Sequence, residues 1–371
     1  MKILFLCPKI NLDKPSGGTL HYLDLAESLA SKDNVEVYLV ASGKKNVEKR
    51  KNLTIISMPD INTSIFRIHK DFRKIRKINS IIEEIDPDFI YFRTEPFELY
   101  PVFFPDNRPS IIEVSYNLFS KSYDVSKIVY YLWSLRNFML RAWIKKAVSK
   151  FGSILVVSES SKKYLEKRIT NKDIFVVRTG VNLRKFGQKK QRRTGKKIVF
   201  VGNGLKYQGV HLLIEASRIL DNEDVGHKVV IIGDYSKKIS GAQKNIEVLG
   251  PLSNKNAVKT MLGCDIGVAP YIEAENEPFG FSPVKVLEYM AAGLAVVATD
   301  TEWNMEIIRP GANGLLFKSN DAQDLADKLK TLLNSKKLMK SIQNNNSSEA
   351  KNSCNWDKIS EHIIDIARNS I

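Results

Sequence analysis

The chain has 371 residues, 43% of them hydrophobic and 26% charged, with three cysteines and a formal net charge of +16. That length accommodates two ordinary cores, and that balance of apolar and charged residues excludes a disordered chain. No apolar run approaches the ~18 residues of a spanning helix, and Cys7, Cys264 and Cys354 show neither metal-ligand spacing nor a paired framework, which fits a reducing cytoplasm.

In chain order, Met1-Lys-Ile-Leu-Phe-Leu-Cys7 reads as a first strand rather than a signal peptide. A loop through Pro15-Ser-Gly17-Gly18 opens a helix over Leu20–Ala30, with Leu23, Leu25, Ala26 and Leu29 inward, and Val35–Val40 is the second strand. Glycines between strand and helix permit close backbone approach to a ligand, so Gly17 and Gly18 are candidate binding residues; a plain turn would use them equally well. Gly-x-Gly-x-x-Gly is absent, which argues against a nicotinamide cofactor. A basic helix, Ile65–Ile85, crowds Arg67, Lys70, Arg73, Lys74, Arg76 and Lys77 into its first part, and Pro87 stops it. Asp88–Phe92 and Pro109–Val114 follow as strands, the second trailed by Ser115, Tyr116 and Asn117.

Residues 123–150 interleave Tyr130, Tyr131, Trp133, Phe138 and Trp143 with Arg136, Arg141, Lys145, Lys146 and Lys150. A basic helix rich in Trp and Tyr suits a membrane interface, while aromatics at helical spacing also serve a core. Lys and Arg outnumber Asp and Glu by 18 over residues 1–200 and fall short by 2 over 201–371; residues 101–200 alone carry an excess of 16. Such asymmetry points to an anionic partner of the first half. Strands at Ser153–Val157 and Ile174–Val177 close a first domain of residues 1–187, and the polar, basic Gln188–Lys197 is a linker.

A second domain, 198–350, begins as the strand Lys197–Val201 runs into Gly202-Asn203-Gly204-Leu-Lys206-Tyr-Gln208-Gly209 and a helix over Val210–Leu220. Val229–Gly233, Ile246–Gly250 and Ile266–Ala269 are further strands, the last followed by Pro270-Tyr271. The stretch Phe279-Gly280-Phe281-Ser282-Pro283-Val284-Lys285 then opens the most informative unit of the chain. Ser282 is a helix N-cap with proline at the first helical position, Val284, Leu287 and Met290 share a face, and Gly293 ends the helix before the apolar strand Leu294–Ala298. An open helix start gathers unpaired amides and partial positive charge, a seat for phosphate. Lys285 falls at the third helical position with Glu288 on the same side, a cation for diphosphate and a carboxylate for ribose hydroxyls. A solvated Lys–Glu pair on an ordinary αβ unit gives the same pattern. Asn313–Phe317, a helix over Asp321–Leu333, a low-complexity Asn344–Ser348 and a terminal helix within 351–371 complete the chain.

The Phe-Ser-Pro-x-Lys-x-x-Glu-Tyr-Met-Ala-x-Gly run over 281–293 resembles the donor-site segment of retaining glycosyltransferases of family 4, in one branch of that family. The resemblance implies the GT-B architecture, with Glu288 on the nucleotide ribose, a cleft-facing glycine pair at Gly17 and Gly18, and a terminal helix that crosses back to the first domain. It also exposes departures. Gly280 stands where many relatives hold the donor sugar with glutamate, and Glu273, Glu275 and Glu277 are out of register. No histidine stands near Ser115. Many relatives read Gly-Arg-Leu-x-x-x-Lys-Gly at 202–209, whereas Asn203 and Gln208 occupy those positions here, so Lys206 or Lys285 must replace the phosphate cations, and Lys285 is the expected one. Asp86-Pro-Asp88 looks like the Asp-x-Asp metal motif of another architecture, but proline makes it a helix-stopping turn.

The expectation is therefore an α/β chain of two Rossmann-like doubly wound domains facing a cleft. Its expected activity is retaining transfer from a nucleoside-diphosphate sugar to a hydroxyl of a glycan or lipid-linked acceptor, in the cytoplasm at an anionic membrane surface. Lys285 and Glu288 are the catalytic candidates. Gly17, Gly18, Gly202, Asn203, Lys206, Gln208, Gly209 and residues Gly280 to Lys285 form the donor site, and neither cofactor nor metal is required. No carboxylate pair is placed for a covalent glycosidase mechanism, which leaves front-side transfer. The alternatives are a sugar-nucleotide epimerase on the same architecture and a basic nucleic-acid-binding protein, the latter without a recognisable nucleic-acid module.

Overall fold

Both faces of the first strand are apolar: Ile3, Phe5 and Cys7 join one buried cluster and Leu4 and Leu6 another. A strand buried on both sides belongs to a parallel sheet covered by helices on each face. The computed structural model describes residues 1–13, 17–44, 47–58, 68–94, 100–104, 108–114, 139, 142–187, 193, 195–235, 244–272 and 283–371. The chain divides into two units, one built from Met1–Thr179 and Trp356–Ile371, the other from Gly180–Glu275 and Pro283–Asn355.

The first unit holds an eight-stranded sheet: β1 (Lys2–Asn11), β2 (Glu36–Ser42), β3 (Val47–Arg50), β4 (Leu53–Met58), β5 (Phe89–Arg93), β6 (Ser110–Glu113), β7 (Ser153–Val156) and β8 (Asp173–Val176), in the order β3-β4-β2-β1-β5-β6-β7-β8. All neighbours are parallel except β3, which returns antiparallel on β4. Helix α1 (Gly17–Ala30) covers one face together with the terminal helix α12 (Trp356–Ser370), whose Trp356, Ile359 and Ile363 enter the same core as Leu25 and Leu29. The other face carries α2 (Ile68–Ile85), α3 (142–148) and α4 (Glu159–Glu166).

The second unit holds a wholly parallel six-stranded sheet: β9 (Lys197–Val201), β10 (Lys228–Ile232), β11 (Ile246–Gly250), β12 (Ile266–Ala269), β13 (Ala295–Thr299) and β14 (Leu315–Phe317), in the order β11-β10-β9-β12-β13-β14. The chain winds one way from β9 through β10 and the other way from β12, so the switch point lies between β9 and β12. Ligands of open α/β sheets bind at the carboxyl ends of the strands at such a point. Each unit is thus doubly wound and Rossmann-like, the second carrying the helices α5 (Leu183–Phe186), α6 (Val210–Asn222), α7 (Asn254–Leu262), α8 (Val284–Ala291), α9 (Glu302–Met305), α10 (Ala322–Asn334) and α11 (Lys336–Asn352).

Three local readings change. The helix after β12, α8 (Val284–Ala291), starts one residue later than expected: Pro283 occupies the N-cap with φ −80° and ψ 70° and no side-chain cap, which puts Lys285 at the second helical position. Gly17 and Gly18 are the first two residues of α1 rather than the loop before it. Asn344–Ser348 belongs to a regular helix, α11 (Lys336–Asn352), because Met339, Ile342, Asn346 and Ala350 fall on one buried stripe. Within the expected linker, Arg193 is anchored: its guanidinium donates to the carbonyls of Ala292 (2.6 Å), Gly293 (2.5 Å) and Leu262 (3.3 Å). A cation at those helix ends complements the helix dipole.

Candidate functional site

At the switch point of the second unit, three segments converge. β9 leaves the sheet at Gly202, turns through 203–209 and enters α6 (Val210–Asn222). A side chain at Gly202 would overlap the Tyr235 hydroxyl and Gln208 Oε1, and one at Gly209, where φ is 65°, would overlap the Pro270 carbonyl oxygen. These two glycines are therefore required by the protein's own packing. Gln208, expected to face the donor, is buried and braces the turn: its Oε1 accepts from the Asn203 amide (2.9 Å) and the Tyr235 hydroxyl (2.9 Å). Asn203 and Lys206 are exposed.

β12 leaves the sheet at Pro270-Tyr271, and α8 returns under both strands. Tyr289 pins it: the phenol oxygen accepts from the Val201 amide (3.0 Å) and its hydroxyl lies 3.3 Å from the Val268 carbonyl. Lys285 precedes Tyr289 by four residues and so shares its sheet-facing side. The consequence is unusual for a lysine. Only 6% of Lys285 is exposed, and its Nζ makes no hydrogen bond among the described residues. The amine sits 4.3 Å from the ring centre of Phe200 and 4.7 Å from that of Tyr271.

Two effects compete there. Aromatic faces attract a desolvated ammonium by about 2 kcal/mol. Stripping its hydration costs several kcal/mol, and no counter-charge among the described residues is hydrogen-bonded to it. Desolvation wins, and burial pushes the Lys285 amine down to about 7 against a weaker upward pull from Glu288. Burial raises the Tyr271 and Tyr289 phenols and, less strongly, that of Tyr235. Glu288 itself is half-buried. The ensemble offers a dry amine beside a helix start whose first amides have no intrahelical acceptor, an arrangement matched to an anion.

Of the expected donor residues, Gly202, Asn203, Lys206, Gln208, Gly209, Pro283, Val284, Lys285 and Glu288 lie in this unit. Gly280, Phe281 and Ser282 fall outside the described residues, as do Glu273, Glu275, Glu277, Ser115, Tyr116 and Asn117. Gly17 and Gly18 lie in the first unit. Phe200, Tyr271 and Tyr235 went unread as site residues, their only sequence signal being aromatics at strand ends.

The Asp86 and Asp88 carboxylates of the discarded metal motif are engaged elsewhere: Asp86 accepts from Arg108 (2.8 Å) and Asp88 from the Lys2 amide (2.7 Å). Among the described residues there is no cluster suited to a metal ion. Of the aromatic–basic stretch, Trp143 packs partly against the core while Lys145, Lys146 and Lys150 are exposed; Tyr130, Tyr131, Trp133, Arg136, Phe138 and Arg141 fall outside the described residues. No helix among the described residues is long and apolar enough to cross a membrane.

Two family models match, "Glycosyltransferase Family 4" over residues 15–185 and "Glycosyl transferases group 1" over 182–349. An uncharacterized glycosyltransferase of Methanocaldococcus jannaschii is 31% identical over 59% of this chain and 60% of its own; the chain thus spans about three-fifths of that relative's length. The phosphatidyl-myo-inositol mannosyltransferase of Mycobacterium leprae is 24% identical over 90% of this chain and 87% of its own. The structure of Anabaena HepE with UDP and glucose superposes with a TM-score of 0.70 at 18% identity, covering 100% of both chains.

Proposed function

We propose that this chain is a glycosyltransferase of GT-B fold that transfers a sugar from a nucleoside-diphosphate donor to an acceptor hydroxyl with retention of configuration, a reading supported by the two family models and the Anabaena structure. The observation that carries the reading is Lys285, a buried amine with no hydrogen-bond partner among the described residues, at a helix start and at the sheet's switch point. Negative charge grows on the leaving diphosphate as the glycosidic bond breaks. A preorganised cation in a dry site stabilises that charge most in the transition state. Glu288 holds the ribose hydroxyls, whose hydrogen bonds change little during reaction, and Lys285 with the helix-start amides replaces a divalent ion. UDP and glucose in the Anabaena structure support a nucleotide-sugar donor.

The acceptor is a glycan or lipid-linked hydroxyl, and the reaction takes place on the cytoplasmic side, at an anionic membrane surface engaged by the basic first half. The mannosyltransferase's name, with its lipid acceptor, supports that choice, as do the exposed Lys145 and Lys146. The test is a panel of nucleotide sugars, read by thermal stabilisation and slow donor hydrolysis, with and without EDTA. Stabilisation by one donor and hydrolysis that survives chelation are expected; silence across the panel, or activity that Mg²⁺ alone restores, overturns the reading. Vesicle pelleting checks the surface: binding should require anionic lipid and fade with salt.

A further inference from the structure

Four charged side chains are buried among the described residues: Lys74, Glu113, Asp265 and Lys285. Three have hydrogen-bond partners; the Lys285 amine has none. Among the described residues, its nearest surroundings come from three elements. β9 contributes the Phe200 ring, the end of β12 contributes the Tyr271 ring, and α8 contributes Glu288 and Tyr289. Tyr207 stacks on Tyr271 at 6.4 Å with planes 10° apart, and Tyr235 closes the group from beyond β10. Burial keeps Tyr271, Tyr289 and Tyr235 uncharged well past neutral pH. Among the described residues Glu288 is the one counter-charge, and it is outweighed by the loss of hydration. Titration near neutrality falls to the amine.

We propose that Phe200 and Tyr271 act as an aromatic clamp that keeps the Lys285 amine dry and ready to shed its proton in the free protein, and that the donor's diphosphate, on entering, fixes that proton, drawing it from solvent wherever the amine has lost it. The inference rests on Lys285 being the diphosphate cation. An entering dianion supplies the acceptors that the amine lacks, so protonation and binding stabilise each other. Phe200 and Tyr271 are positioning residues: they set the hydration of the group that meets the ligand.

The experiment is calorimetric titration with UDP, GDP, ADP and dTDP from pH 6.5 to 9, in buffers of differing ionisation enthalpy. The terminal phosphate of these probes is fully ionised over most of that range. The tightest binder should weaken about tenfold per pH unit above 7 and take up close to one proton at pH 8.5. Tyr271→Phe should keep that profile, whereas Phe200→Leu, checked for an unchanged far-ultraviolet spectrum, should move the break upward by admitting water. Lys285→Arg, always charged, should flatten it. Affinity that is independent of pH in the unmodified protein, yet falls in Lys285→Ala, overturns the proton linkage and leaves the diphosphate reading standing. Affinity indifferent to Lys285→Ala, or absent for all four probes, overturns the diphosphate reading itself.

Discussion

The two units treat buried charge in opposite ways. In the first, Glu113 lies 3% exposed at the end of β6 and accepts hydrogen bonds from Tyr22 (2.7 Å) and Tyr91 (2.5 Å), while the Lys74 amine donates to the Pro8 carbonyl (3.1 Å). In the second, Asp265 accepts from the Lys197 amide (3.0 Å), but Lys285, buried comparably, has two aromatic faces and, among the described residues, no acceptor. A buried charge whose lone pairs or protons are spent on the protein is a structural member. One whose protons are unspent carries a standing cost that only an incoming ligand removes. Satisfaction, and not depth, is therefore what separates scaffold from proposed site here.

Removing each charge should break the comparison in a different observable, and the largest effect belongs to Lys285. Lys285→Ala should lower kcat by roughly a hundredfold or more, the loss typical of one preorganised transition-state donor. Stability should move the other way. The folded-state amine, near 7, lies below the ordinary lysine value of 10.5, so its cost is borne in full below pH 7 and relieved as pH rises toward 10.5. Lys285→Met should accordingly be more stable than the parent in urea, with an advantage greatest at pH 6–7 that shrinks by about 1.4 kcal/mol per pH unit above it. An advantage that stays constant from pH 6 to 9 would show that the amine is not perturbed.

The first unit should answer oppositely. Tyr91→Phe removes one of the two phenols on Glu113 and leaves a buried carboxylate short of a partner, at a cost of roughly 1–3 kcal/mol. Donor KM and kcat should stay within about twofold when assayed well below the new midpoint. A large loss of turnover with unchanged stability would make Glu113 a site residue and erase the contrast.

Much of this arrangement was legible in the sequence, and the limits have physical causes. Strand periodicity located both sheets, and the Ser-Pro-x-Lys helix marked the switch-point element. The burial of Lys285 was not legible, because pairing it with Glu288 at a spacing of three implied a solvated face, whereas the tie of Tyr289 to Val201 turns the spacing of four inward. Phe200 and Tyr271 stand far from residue 285 in the chain, so only the parallel pairing of β9 with β12 brings their rings together. The glutamine at 208, which in the sequence stands where a cation is expected, is a brace whose partner, Tyr235, comes from the loop after β10. The Asn344–Ser348 run looked like low complexity, yet Asn346 is fully buried and donates to the Leu294 carbonyl at 2.8 Å.

A smaller effect is expected from Glu288→Gln. The side chain is half-buried and is proposed to meet hydroxyls that keep their hydrogen bonds through the reaction. The change should then raise donor KM several-fold and leave kcat nearly untouched, the signature of uniform binding. A drop in kcat with constant KM would assign the carboxylate a part in the chemical step.

The smallest effect should come from Lys206, and it is the sharpest check on the comparison because Lys206 is the alternative phosphate cation. It lies on the turn between β9 and α6, exposed to water. An exposed ammonium near an anion is screened and hydrated, and such pairs are worth ~0.2–1 kcal/mol. Lys206→Ala should therefore weaken donor binding by at most about fivefold, with the loss shrinking further as salt is raised. Lys285 works in a dry pocket where salt cannot reach, so its contribution should hardly change over the same range. Measuring kcat and KM for both alanine variants at low and high ionic strength separates the two cations. If Lys206→Ala abolishes turnover while Lys285→Ala is nearly silent, the diphosphate is held by the first loop after all. The unpartnered amine of the second unit would then be an uncompensated burial, with no ligand to explain it.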